Sequence, residues 1–173
     1  MIHIFPRLEY SIDSTKSPED IYTILNSVTA PKKMLFSYLS YPDNIEFIGE
    51  VNSSDFKIVS KPKPYVRNSF TPVILGTIRA AKGLTVIDIR MRLYLFVQVF
   101  ETIWYGGAGI TLLVGLFAAF AEVAGRTGTK LTVFSLAVIF YAVVFWGFGQ
   151  ALTRIGFYFP AKRAIERLDE LLK

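Results

Sequence analysis

The sequence predicts an α+β membrane protein: an antiparallel sheet with one N-terminal helix, a transmembrane helical hairpin and a C-terminal amphipathic helix. Three observations predict it. Segments before residue 94 alternate apolar and polar residues, the period of half-buried strands. Two uncharged runs of membrane-spanning length follow. The chain then closes on Ala161, Ile165, Leu168 and Leu172, which share one face of a helix with charges elsewhere.

The elements follow in chain order. Residues 2–12, "IHIFPRLEYSI", read as extended. In "SPEDIYTILNSV" Ser17 caps a helix, Pro18 suits its first position, and Glu19 and Asp20 complement the dipole. Ser17 with Asp20 approximates a capping box. Ile21, Ile24, Leu25 and Val28 form its apolar face. "IEFIGEV" and "FKIVSK" flank the turn "NSSD" as a hairpin, and "TPVILGTIRA" and "LTVIDIRMRL" flank "AKG" as a second. In the last strand Thr85, Ile87, Ile89, Met91 and Leu93 face the core; Asp88, Arg90 and Arg92 face water. The proline-bearing "SKPKPYVRNSF" connects the hairpins. Pro160 reads as the start of the closing helix.

Twenty uncharged residues lie between Glu101 and Glu122, and twenty-three between Lys130 and Arg154. At ~1.5 Å per residue each covers a hydrocarbon core of roughly 30 Å. Spans are therefore expected over 102–121 and 131–153, with "EVAGRTGTK" as the turn between them. "GRTGTK" lacks the order of a phosphate loop and follows no strand. The domains read as a cytoplasmic α+β domain at 1–100, a hairpin at 101–153 and a cytoplasmic amphipathic helix at 154–173.

The turn carries two cations, Arg126 and Lys130; the outer flanks carry seven, Lys82, Arg90, Arg92, Arg154, Lys162, Arg163 and Arg167. This asymmetry places both termini in the cytoplasm. The start "MIHIFPRLEY" has no signal-peptide pattern, which agrees. Arg90, Arg92, Arg154, Lys162, Arg163 and Arg167 are candidate headgroup contacts. Gly107, Thr111, Gly115 and Ala119 form a small-residue stripe for helix packing, against the second span (with its Gly147 and Ala151) or a second copy. Glu101 and Gln150 are the candidate intramembrane polar residues, with Arg154 the candidate ion-pair partner of Glu101.

Composition excludes much chemistry. The 173 residues are 52% hydrophobic and 15% aromatic, with no cysteine and one histidine. No thiolate, disulfide or multi-histidine metal site is possible. His3 reads as structural or exposed. The carboxylates Asp13, Glu19, Asp20, Asp43, Glu46, Glu50, Asp55 and Asp88 are scattered; Glu46 and Glu50 share strand parity, the pattern of a solvated face. No nucleotide fingerprint is present, so neither enzymatic activity nor a cofactor is expected. The net charge of +5 is spread along the chain, which argues against nucleic acid.

"YSIDSTKSPEDIYTIL" and the closing helix resemble START-like helix-grip domains, a resemblance that implies a sheet gripping a long C-terminal helix and a lipid or apolar ligand. The membrane hairpin departs from that pattern. "FIGEVNSSDFKIV", "RNSFTPVILGTI" and "RMRLYLFVQVFETIWYGG" are similar to small two-span bacterial membrane proteins, which implies the bacterial inner membrane and no activity. A bacterial PH-like sheet fused to a membrane hairpin is the competing fold. The expected function is a membrane-anchored module that binds a lipid, an apolar ligand or a protein partner at the inner leaflet. The alternatives are a membrane interaction subunit for toxin immunity or complex assembly, as homo-oligomer or with a partner, and a small oligomeric transporter or channel.

Overall fold

A computed structural model describes residues 5–32, 41–62, 68–81, 83–125 and 132–173, with 132 and 133 described in backbone only. His3, Lys82, Arg126 and Lys130 lie outside the described residues. The chain divides into two compact units, Met1–Tyr94 with Ile155–Lys173, and Leu95–Arg154.

The first unit is α+β. Its elements are β1 (Arg7–Ser14), α1 (Pro18–Val28), β2 (Thr29–Ala30), β3 (Phe47–Val51), β4 (Asp55–Ser60), β5 (Val73–Ala81) and β6 (Leu84–Arg92). The strands form one sheet in the order β1-β6-β5-β4-β3-β2. The two expected hairpins are β3–β4 and β5–β6. Gly83, at φ 81°, supplies the left-handed residue that the second tight turn needs. The sheet is mixed, which corrects the antiparallel expectation: Thr29 pairs with Phe47 and Ala30 with Ile48 in parallel. Parallel neighbours cannot be joined by a tight turn, and β2 and β3 are well separated in sequence.

Register puts the apolar residues on one face. Ile12 opposes Ile87, Met91 opposes Ile74, and Ile74 opposes Ile58. All are at most 1% exposed, which is what a core of interlocked apolar side chains requires. Gly76 opposes Phe56 because the ring occupies the glycine's side-chain space; a Cβ there would lie 2.0 Å from Phe56 Cζ. Ile21 and Leu25 of α1 are fully buried. The helix starts on a complete capping box between Ser17 and Asp20. On the opposite sheet face Arg90 pairs with Glu9 at 3.3 Å and Arg79 with Asp88.

Two long helices follow, α2 (Leu95–Val123) and α3 (Thr132–Leu172). Only Leu93 and Tyr94 separate the first from β6, so it starts earlier than the expected boundary at residue 101. It stops at a left-handed glycine, Gly125 at φ 66°, whose N–H donates to the Glu122 carbonyl at 3.0 Å. The second runs unbroken through Pro160. No separate helix begins there, which corrects the sequence reading. Proline has no N–H for the carbonyl four residues back, that of Gly156. The Asn68 side-chain amide donates to that carbonyl instead, at 2.7 Å. Gly156 leaves room for Phe70, whose Cβ would lie 2.8 Å from a Cβ at position 156.

Residues 155–172 of α3 complete the first unit's core. Phe157, Ala161, Leu168 and Leu172 are fully buried and Ala164 nearly so. Ser14 Oγ donates to the Leu172 carbonyl. Arg167 grips Glu46 with Nε to Oε2 and Nη2 to Oε1, both at 2.6 Å, a bidentate geometry that lysine cannot reproduce.

Candidate functional site on the helical hairpin

Within the Leu95–Arg154 unit, burial follows a seven-residue repeat. Glu101, Ala108 and Gly115 are buried on α2; Ser135 and Ala142 are buried on α3, and Gly149 half-buried. A seven-residue repeat is the signature of two helices wound left-handed about each other. Small side chains let the backbones approach closely. A Cβ on Gly115 would lie 2.8 Å from Ile139 Cγ1 and 3.1 Å from Val138 Cγ1. A Cβ on Gly149 would lie 3.0 Å from Trp104 Nε1.

The predicted stripe therefore divides. Gly115 packs inside the hairpin. Gly107 has nothing within 4 Å of a built Cβ, and Thr111 is exposed, its hydroxyl donating to the Gly107 carbonyl at 2.9 Å. Ala119 is half-buried. On α3 the packing residues are Ala142 and Gly149 rather than Gly147 and Ala151, both of which are exposed.

Gly107 opens onto an apolar groove of about 350 Å³. Its floor includes Gly107, Ala108 and Ala142; Trp104, Tyr141 and Phe145 line it as walls. The Trp104 and Phe145 rings stack with centroids 4.0 Å apart and planes 13° apart, which stiffens one wall. Tyr105 meets Trp146 edge-on at 6.5 Å.

Both ends of the hairpin seam are polar. At one end Ser135 Oγ lies 3.3 Å from Glu122 Oε2. At the other, Glu101 is 3% exposed and its Oε1 accepts from the Thr153 hydroxyl. Arg154 makes no ion pair with Glu101; its Nε lies 3.5 Å from Gln150 Oε1.

The six basic candidates are not equivalent. Arg167 is committed to Glu46 and Glu170, and these hydrogen bonds and charges raise its pKa. Arg90 faces Glu9, and Lys162 lies 3.9 Å from Glu166. Arg92 and Arg163 are exposed, and no ion pair forms at either among the described residues. Among the described residues no three histidine or carboxylate side chains form a metal-ligand set.

Fold and site together define an α+β chain with two helices long and apolar enough to cross a membrane. Compared with known proteins, it matches no family model, no curated protein and no solved structure.

Proposed function

We propose that the chain is a non-enzymatic, membrane-anchored binding module. Its two long apolar helices cross a bacterial inner membrane. Its α+β unit stays at the cytoplasmic leaflet, and the hairpin groove holds a lipid or another apolar ligand. The observation that carries this reading is the exposure of the apolar helices. Only 11% of each helix's apolar window is buried, whereas a soluble core helix of that composition would be mostly covered. Phe96 is 81% exposed, Phe117 74% and Phe140 67%. Covering each such side chain is worth about 1.5–3 kcal/mol, and hydrocarbon tails supply that cover.

The groove fits the same reading. Its aromatic walls and glycine floor suit an acyl chain. The START-like resemblance points to the same ligand class. Native mass spectrometry of the full-length protein, purified in mild detergent from its own cells, tests this. The expected spectrum shows a stoichiometric lipid on the wild type and none on Gly107→Leu, a substitution the open space at Gly107 accommodates. A wild type without lipid would sink the proposal.

A second reading, a membrane interaction subunit, is favoured by the same open glycine. A neighbouring helix would then fill the groove. The same spectrum would show a homo-oligomer or a retained protein subunit, lost in Gly107→Leu.

A further inference from the structure

Glu101 is a carboxyl group without the partners that an ionised carboxylate needs. It is 3% exposed. Its Oε1 has one partner, Thr153, and its Oε2 is buried with none. An ionised carboxylate offers about four acceptor sites and no donor. Burying it without a cation or a set of N–H donors costs several kcal/mol. No ion pair to Glu101 forms among the described residues.

The Thr153 hydroxyl sharpens the point. It lies within hydrogen-bonding reach of Glu101 Oε1 and of the Gly149 carbonyl, the latter at 3.0 Å. A hydroxyl carries one hydrogen and can accept others. If Glu101 carries a proton, a single order satisfies the chain: Glu101 donates to Thr153 Oγ1, and Thr153 donates to the Gly149 carbonyl. If Glu101 is ionised, Thr153 must donate to it, and a full negative charge rests on that single donor. Trp104 Nε1, three residues along the same helix, is a further buried polar atom without a partner. The titratable and charged groups near Glu101 from the two helices are Tyr105 on α2 and Arg154 on α3, and Arg154 is exposed and directed to Gln150.

We propose that Glu101 is a proton-binding site: a neutral carboxylic acid held between α2 and α3, hydrogen-bonded through Thr153, and open to modification by an apolar carbodiimide. It rests on the membrane reading above. The modification is an addition in which no atom leaves. The carboxylic proton passes to a carbodiimide nitrogen and the carboxyl oxygen bonds the central carbon. The O-acylisourea then shifts its acyl group from oxygen to nitrogen, leaving a stable N-acylurea. The reaction needs the protonated acid, so it reports the proton directly.

The experiment uses the full-length protein in its native membranes, treated with dicyclohexylcarbodiimide across a pH series and read by peptide mass spectrometry. One adduct is expected at Glu101, strongest at low pH and still formed at neutral pH. The exposed carboxylates Glu19 and Asp43 serve as internal references and should label weakly at neutral pH. Glu101→Gln removes the adduct. Infrared difference spectra of wild type against Glu101→Gln should show a carboxylic C=O stretch, and this requires no reagent to reach the site. A protein retained in membranes at alkaline carbonate, with no adduct at Glu101 and no such band, overturns this inference alone. Release of the protein by carbonate overturns the membrane reading and this inference with it.

Discussion

The side-chain amide of Asn68 hydrogen-bonds the Gly156 carbonyl at 2.7 Å, and that carbonyl is the one Pro160 leaves unserved. A loop residue thus replaces the missing rung of a helix 88 positions away in sequence. Asn68 is held for the task, since its Oδ1 accepts from the Phe70 N–H at 3.0 Å and its carbonyl from the Thr71 hydroxyl at 2.9 Å. Removing the amide in Asn68→Ala should cost about 1–3 kcal/mol, the usual penalty for an orphaned buried carbonyl. In a Pro160→Ala background the helix serves its own carbonyl, and the same substitution should cost much less. Thermal unfolding of the four proteins checks this; strictly additive losses would contradict it.

Gly115 and Gly107 should respond oppositely to substitution. Gly115→Ala places a methyl 2.8 Å from Ile139, so the hairpin must spread, at about 1–3 kcal/mol. Gly107→Ala meets nothing. It should leave stability unchanged or raise it by up to about 1 kcal/mol through helix propensity. Unfolding in mixed detergent micelles measures both.

Arg167→Lys should lose most of the Glu46 clamp. The pair is partly exposed, at 43% and 30%, so its worth is about 1 kcal/mol despite its geometry. Loss of this interaction should also weaken the salt dependence of unfolding, measured with and without molar sodium chloride.

Tyr10 offers a pH signature. Its hydroxyl is buried without a partner, and burial, then the Asp169 charge, raise its pKa above the usual 10.0. The folded protein therefore holds this proton more tightly than the unfolded chain. The resulting stability is complete below the unfolded pKa of about 10 and declines as pH rises past it. Tyr10→Phe should unfold later in an alkaline titration. At neutral pH it should be at least as stable as wild type, because an unsatisfied hydroxyl is gone.

Much of the fold was legible in residue pattern. The capping box at Ser17, the two hairpins and the buried row Thr85 to Met91 follow local rules of spacing and chain ends. β2 was not legible, because two residues carry no periodicity and its parallel partner β3 is distant in sequence. Pro160 misled for a physical reason: its cost inside a helix was offset by Asn68, from a distant loop no local rule connects to it. Four-residue spacing predicts a single small-residue stripe, whereas the hairpin packs at seven, through Ala108, Ala142 and Gly149. Glu101 was visible as the polar boundary of a span, but its Thr153 partner depends on how the two helices are phased.

Cysteine accessibility tests the central claim, that α2 and α3 form a membrane-crossing hairpin with the α+β unit on the cytoplasmic side. The chain has no cysteine, so single ones can be placed at Ser53, exposed in the β3–β4 turn, and at Ala124, exposed just beyond α2. Intact cells stripped of their outer barrier are treated with a membrane-impermeant maleimide, then treated again after lysis. The account predicts that Ala124→Cys is labelled in sealed cells and Ser53→Cys only after lysis. Labelling of both or neither in sealed cells, or the reverse order, would contradict it.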